Sequence, residues 1–163
     1  MIYNIKRWRC AIVGFLEKLV FGTITVAEEI HHVNKIANEA AEILKGLLSD
    51  DGISPQAFLY MYNLKQYDFN NKQRDIKFMK SHDFSGIYII YNPKSKQYFV
   101  GKGKTVLKKI DRQFRGYGNP YVYAAYQKNI KLSVRAIRLI DTDYDNLDIL
   151  ARDMCKELDA PLI

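Results

Sequence analysis

Residues 86–101 are the stretch that most limits what this chain can fold into. They read Gly-Ile-Tyr-Ile-Ile-Tyr-Asn-Pro-Lys-Ser-Lys-Gln-Tyr-Phe-Val-Gly. Two runs rich in β-branched and aromatic residues, 87–91 and 97–100, flank a polar cluster that contains Pro93. Such runs favour β-strands, and a proline presets one dihedral of a turn. The stretch therefore predicts a β-hairpin with a loop of about five residues.

The residues after the hairpin predict a basic helix. Thr105 is a candidate N-cap, and apolar residues follow at helical spacing up to Phe114. Residues 94–115 contain eight Lys and Arg against one acidic residue, Asp111. Such one-sided charge indicates a polyanionic partner, most simply DNA. The predicted DNA contacts are Lys102, Lys104, Lys108, Arg112 and Arg115. Solubility or an acidic protein partner would also explain the patch.

The order of these motifs resembles the GIY-YIG endonucleases. The resemblance begins with Gly86-Ile87-Tyr88, Tyr98-Phe99-Val100-Gly101 and the basic helix, and it continues through 118–126, 132–140 and 147–160. It spans residues 86 to about 160, roughly half of the chain. The fold that it implies is α+β, a small antiparallel three-stranded sheet flanked by helices. In this chain an N-terminal helical region would precede that sheet.

The resemblance also implies a chemistry, the metal-dependent hydrolysis of a DNA phosphodiester, usually with magnesium. The tyrosine positions of the two strand motifs are Tyr88 and Tyr98 here. The arginine that helps to hold the phosphate is replaced by Lys109, and Arg112, one turn further on, could substitute for it. Gln113 occupies the position of a titratable His or Tyr. We therefore expect any catalytic role to rest on Tyr88, Tyr98, Lys109 and Arg112.

The metal-binding glutamate of the family corresponds to Ala151, which cannot bind a cation. Asp148, three residues earlier on the same helical face, is the only nearby substitute. Ala151 is either an engineered inactivation or the natural residue, and the changes at Lys109 and Gln113 favour the natural one. The expected cofactor is magnesium if the protein is active, and none otherwise.

Three functions remain open at this stage. The first is a DNA-binding protein on a GIY-YIG scaffold whose cleavage is impaired or absent. The second is an active endonuclease that uses Lys109 or Arg112 together with Asp148. The third is a phage or mobile-element protein that binds another protein through its N-terminal helices.

The chain divides by charge and by pattern into two predicted regions, 1–82 and 83–163. Residues 86–163 carry 14 Lys and Arg against 8 Asp and Glu, whereas the preceding 85 residues are nearly balanced. Apolar residues between 8 and 47 follow a 4-3 spacing that predicts a helical hairpin or a coiled coil. In the second case these residues would form a homodimer or bind a protein partner. A short helix is predicted over 55–64, where Pro55 follows Ser54.

The cysteines and the longest apolar run bear on the cellular compartment of the protein. The two cysteines, Cys10 and Cys155, are far apart and match neither a disulfide framework nor a zinc site. The apolar run 11–21 is too short to span a bilayer and is interrupted by Glu17 and Lys18. We therefore expect a cytoplasmic protein and no membrane partner.

Overall fold

The computed structural model describes residues 41–62 and 82–163, together with residues 31, 34, 35, 38, 39, 66, 67, 73 and 74. Several sequence predictions fall outside the described residues. These are the apolar run 11–21 and most of the 4-3 register over 8–47. The homodimer or partner-binding coiled coil predicted for residues 8–47 therefore stays a prediction.

The described elements alternate short helices with a small sheet. Residues 41–47 are helical and form the described end of α1. The other elements are α2 (Pro55–Tyr62), β1 (Gln66–Tyr67), β2 (Gln73–Arg74), β3 (Gly86–Asn92), β4 (Gln97–Gly103), α3 (Val106–Phe114), α4 (Pro120–Gln127), β5 (Ser133–Arg138), a 3-10 turn (Leu139–Asp141) and α5 (Leu147–Glu157). The two-residue strands β1 and β2 pair with each other. The main sheet has the order β4-β3-β5 and is antiparallel throughout.

The predicted hairpin is confirmed, and its turn is held by Asn92. Asn92 pairs with Gln97 at the end of the two strands. The Asn92 side-chain oxygen accepts hydrogen bonds from the backbone N–H groups of Lys94 at 3.0 Å and Ser95 at 3.3 Å. A short polar side chain thus replaces the water that would otherwise satisfy the turn. The α+β arrangement expected from the sequence, with a three-stranded antiparallel sheet and flanking helices, is confirmed as well.

The sheet is covered on both faces, so the central strand β3 is buried along nearly its whole length. Side chains alternate between the faces. On one face Tyr88 and Ile90 join a core that includes Leu107 and Ile110 of α3. On the other face Ile87, Ile89, Val100, Leu150 and Ala151 form a second core under α5. We call these the α3 face and the α5 face.

The described part of the N-terminal region belongs to the core on the α3 face. Leu47, Phe58 and Met61 are fully buried there. Ile53 also extends the sheet, because its backbone exchanges hydrogen bonds of 2.7 and 2.8 Å with Val134 on β5. The boundary predicted between residues 82 and 83 therefore does not separate two cores, since helices before it and the sheet after it pack together.

The N-terminus of α3 is capped by a residue that the sequence did not suggest. Thr105 is at the N-cap position, but its side chain makes no capping hydrogen bond. The Asp83 carboxylate instead accepts from the backbone N–H groups of Leu107 at 2.8 Å and Lys108 at 3.2 Å. A carboxylate at this end also complements the helix dipole. The sequence thus predicted the N-cap position correctly, but the capping hydrogen bonds are made by Asp83 and not by the Thr105 side chain.

The outer edge of β4 is partly covered by residues 161–163. The Val100 N–H donates to the Pro161 carbonyl at 3.1 Å, and the Ile163 N–H donates to the Val100 carbonyl at 2.8 Å. This short parallel pairing carries Ile163 to the α3 side of the sheet, where it contributes to the cleft described below. Within the described ranges, no helix is both long and apolar enough to cross a membrane.

Candidate functional site

A cleft of about 220 Å³ opens beside Tyr88 on the α3 face of the sheet. Residues from β3, from α3, from the loop before α4 and from the end of the described chain line it. They are Tyr88, Lys109, Arg112, Gln113, Tyr117, Gly118 and Ile163. Two of these side chains are cationic, and none belongs to an Asp or a Glu.

The floor of the cleft depends on a close approach between Tyr88 and Gly101. The two residues are partners across β3 and β4. The end of the Tyr88 ring lies directly over the α-carbon of Gly101, so that any side chain at position 101 would overlap the ring and its hydroxyl. Gly118 allows a similar approach by the Gln113 amide. Because neither glycine has a side chain, the Tyr88 phenol and the Gln113 amide can come into contact at the floor of the cleft.

The Gln113 amide fixes the role of the Tyr88 hydroxyl. A backbone N–H can only donate, so the Gln113 atom 2.6 Å from the Asn119 nitrogen is the acceptor Oε1. Nε2 is then the atom that donates to the Tyr88 oxygen, at 2.7 Å. The Tyr88 oxygen therefore accepts, and its own O–H remains to donate. No acceptor for this O–H occurs among the described residues, and the adjoining open space is the cleft.

Burial keeps the Tyr88 phenol protonated. Only 1% of the residue is exposed. Burial raises the pKa of the phenol above its ordinary value near 10, and the hydrogen bond from Gln113 lowers that pKa by less. At neutral pH the group is consequently a hydrogen-bond donor. A phenol in this state is poorly suited to accept a proton from water.

The two cations of the cleft come from successive turns of α3. The Lys109 stem lies over Gly103, where an added methyl group would come within 2.8 Å of the Lys109 Cδ. Arg112 donates to the Tyr117 carbonyl at 3.5 Å, which anchors the guanidinium weakly at the rim. Both residues are exposed. The structure thus brings Tyr88, Lys109 and Arg112 together, as their assignment to one site requires.

Tyr98 does not belong to this group, although the family resemblance assigned it to the same site as Tyr88. Tyr98 pairs with Tyr91, their ring centroids are 4.6 Å apart, and Tyr98 packs against the core on the α5 face. The β4 aromatic on the α3 face is Phe99, which has no hydroxyl. The alternation of side chains along a strand predicts this separation from the sequence alone. Tyr98 is three residues from Gly101, the partner of Tyr88, so the two tyrosines must point to opposite faces.

The cations predicted to contact DNA fall into two groups. Lys102 forms an ion pair with Asp148, and Arg115 pairs with Asp111 at 2.7 Å. Lys104 and Lys108 are exposed, as is Arg112. The apolar side of α3 is buried as expected, because Leu107 and Ile110 are fully buried and Phe114 nearly so. The exposed side of α3 is therefore cationic, with Lys108, Lys109 and Arg112 as its main charges.

The described residues do not fit the magnesium ion that the family resemblance implies. Ala151 is fully buried in the core on the α5 face, away from the cleft. Asp148 is engaged by Lys102. No group of three or more His, Cys, Asp or Glu that could hold a metal ion occurs in the part of the chain that the structure describes.

Sequence reasoning missed the residue that organises the cleft, Gln113, which is 5% exposed. The sequence does contain a feature that points to Gln113. Gln113 follows Val106 by seven residues, and hence lies on the apolar side of α3. A polar residue at such a position must find buried hydrogen-bond partners. Tyr117 and Gly118 were likewise not predicted as site residues.

No protein-family model, curated protein or solved structure matches this chain. The resemblance to the GIY-YIG endonucleases accordingly rests on the residues quoted above.

Proposed function

We propose that this protein binds DNA on a GIY-YIG-like scaffold, through the cleft and the exposed side of α3, and that it cleaves DNA weakly or not at all. One observation carries the proposal. The Tyr88 hydroxyl is held as a hydrogen-bond donor in a cleft that it shares with Lys109 and Arg112. A site made of donors and cations suits a phosphate oxygen.

Three features favour phosphate over a neutral ligand. No Asp or Glu side chain lines the cleft, so an anion meets no repulsion from its walls. Arg112 supplies several N–H donors in one plane, a geometry that matches phosphate. The exposed Lys108 lies on the same helix, outside the cleft, where it could neutralise a further phosphate of a polyanion.

The same geometry is the reason for proposing weak or absent cleavage. Hydrolysis of a phosphodiester needs a group that takes a proton from water and a cation where charge develops. The phenol of Tyr88 has a raised pKa and stays protonated. The alternative base, a hydroxyl on the second strand, is missing on this face because Phe99 stands there. Lys109 and Arg112 can hold the phosphate without activating water.

A salt titration tests DNA binding. Binding of a labelled DNA duplex is followed by fluorescence anisotropy over a range of salt concentrations. With Lys104, Lys108, Lys109 and Arg112 neutralising phosphates, log affinity should fall against log salt with a slope of roughly −4. The variant Lys108→Ala/Lys109→Ala/Arg112→Ala should flatten this slope by about two to three units.

The matched control removes three cations elsewhere. Lys128→Ala/Lys131→Ala/Lys156→Ala lowers the net charge by the same amount at exposed positions outside α3. If both triple variants lose affinity equally, the patch acts only through net charge and the proposal fails. Binding by neither variant nor the wild type would favour the protein-interaction hypothesis for the N-terminal helices.

Cleavage is tested separately with supercoiled plasmid and magnesium or manganese. We expect no nicking above that of the Tyr88→Phe variant. Metal-dependent nicking by the wild type that disappears in Tyr88→Phe would establish the active endonuclease instead.

A further inference from the structure

Two tyrosines beside the cleft leave most of their side chains in water. Tyr117, which lines the cleft, is 72% exposed, and Tyr121 is 75% exposed. One exposed aromatic residue is ordinary on a protein surface. Two of them within five residues, next to exposed cations, form an arrangement typical of surfaces on which nucleic-acid bases stack.

The backbones of both tyrosines are connected by hydrogen bonds to residues that line the cleft. The Tyr117 N–H donates to the Arg112 carbonyl at 2.9 Å. The Tyr121 N–H donates to the side-chain oxygen of Asn119 at 2.9 Å, and the Asn119 N–H donates to Gln113. A chain of hydrogen bonds therefore runs from Tyr88 through Gln113 to the start of α4. Because these positions are already ordered, a ligand loses little entropy in fixing them.

The size of the cleft limits what part of a nucleic acid can enter it. At about 220 Å³ it is smaller than the pockets of roughly 300 Å³ or more that enclose drug-sized molecules. Its two cations and the Tyr88 hydroxyl suit one phosphate group, and the attached bases would then lie outside the cleft. Tyr117 lines the cleft, and Tyr121 is exposed four residues further on, in the first turn of α4. A base can stack on these rings only if it is not already stacked and paired inside a duplex.

We propose that the cleft and its two exposed tyrosines form a site for single-stranded DNA. One backbone phosphate lies against the Tyr88 hydroxyl, Lys109 and Arg112, and flanking unpaired bases stack on Tyr117 and Tyr121. This inference rests on the proposed function, because it names the form of DNA that the same cleft takes. It also assigns the preference for single-stranded DNA to Tyr117 and Tyr121, two residues that the charge pattern does not identify.

The test compares one labelled oligonucleotide as a single strand and as a duplex. We expect the wild type to bind the single strand at least about tenfold more tightly at equal salt. The variant Tyr117→Ala/Tyr121→Ala should lose roughly ten- to a hundredfold in single-strand affinity while duplex affinity changes little. The variant Tyr117→Phe/Tyr121→Phe should keep the preference, since it keeps both rings. The slope against salt should be the same in all of these proteins because the phosphate contacts are unchanged.

Tyr60→Ala/Tyr144→Ala is the matched control, because both residues are exposed tyrosines outside the cleft. It should bind like the wild type. Equal affinity for single strand and duplex, or a preference that survives the Tyr117→Ala/Tyr121→Ala change, would overturn this inference while leaving DNA binding intact. If the wild type binds neither the single strand nor the duplex, both proposals are overturned.

Discussion

Tyr88 and Ala151 lie on opposite faces of the three-stranded sheet. Tyr88 points into the core with α3, whereas Ala151 is buried under α5 beside Ile87 and Ile89. β3 therefore separates the candidate cleft from the helix position at which the GIY-YIG resemblance would place a metal ligand. A carboxylate at position 151 would enter an apolar core instead of the cleft. In this chain, alanine at 151 is explained by packing.

Ala151→Glu should accordingly destabilise the fold and should not create a nuclease. A carboxylate buried without a partner is costly, and we expect a loss of roughly 3 kcal/mol in the free energy of unfolding, measured by urea denaturation. Ile149→Glu on the same helix adds the same charge at a partly exposed position and should cost less than about 1 kcal/mol. An Ala151→Glu protein as stable as the wild type that nicks plasmid with magnesium would contradict the assignment of faces.

Gly101→Ala should disturb the cleft from below. The added methyl group would overlap the Tyr88 ring, which is enclosed by the core and cannot move away freely. Overpacking of this kind costs about 1–3 kcal/mol, and thermal denaturation followed by circular dichroism measures it. Gln97→Ala, at the exposed start of the same strand, is the control and should change stability little. Unchanged stability and unchanged DNA affinity in Gly101→Ala would show that Tyr88 does not depend on this approach.

Asp83→Ala should destabilise α3 more than Thr105→Ala. Asp83 accepts two hydrogen bonds from the first turn of the helix, and Thr105 accepts none with its side chain. Loss of an N-cap costs typically about 1 kcal/mol, whereas a surface change without such a role stays within about 0.5 kcal/mol. Urea denaturation of the two variants ranks them. The reverse order would restore Thr105 as the cap.

Stability should fall at alkaline pH in part because of Tyr88. The phenol has a higher pKa in the folded protein than its unfolded value near 10, because burial disfavours the phenolate. The folded state thus holds the proton longer. The stabilising contribution is fully present below about pH 10 and is lost as the pH rises through the folded pKa.

Melting temperatures measured between neutral and strongly alkaline pH provide the readout for this effect. The decline should be shallower in Tyr88→Phe than in the wild type, since phenylalanine does not ionise. Tyr62, whose pKa is also raised, first by burial and then by Asp111, accounts for part of the remaining decline. Tyr121→Phe, which removes a phenol hydroxyl at an exposed position, serves as the control. Identical curves for Tyr88→Phe and the wild type would show that this phenol is not buried in solution.

Local patterns in the sequence were sufficient for the elements themselves. The β-branched and aromatic runs on either side of a polar turn predict β3 and β4, and the apolar spacing from Val106 predicts α3 with its cationic side exposed. These features depend on residues a few positions apart, so the sequence displays them directly. Because side chains alternate between the faces of a sheet, the strand sequences already place Tyr88 and Tyr98 on opposite faces. The resemblance to the family motif had instead assigned both tyrosines to one site.

The site was decided by contacts between residues distant in the chain. Gln113 meets Tyr88 25 positions away, and Asp83 caps a helix 24 positions further on. Periodicity fixes which side of an element is apolar, but it does not say which neighbour will cover that side. The position of Ala151 illustrates this, since helical spacing makes it a core residue and only the packing of α5 shows which face of the sheet it covers. The sequence by itself therefore determined the β3–β4 hairpin, α2, α3 and the charge of α3, because these depend on neighbouring residues, whereas tertiary packing determined which side chains share a cleft.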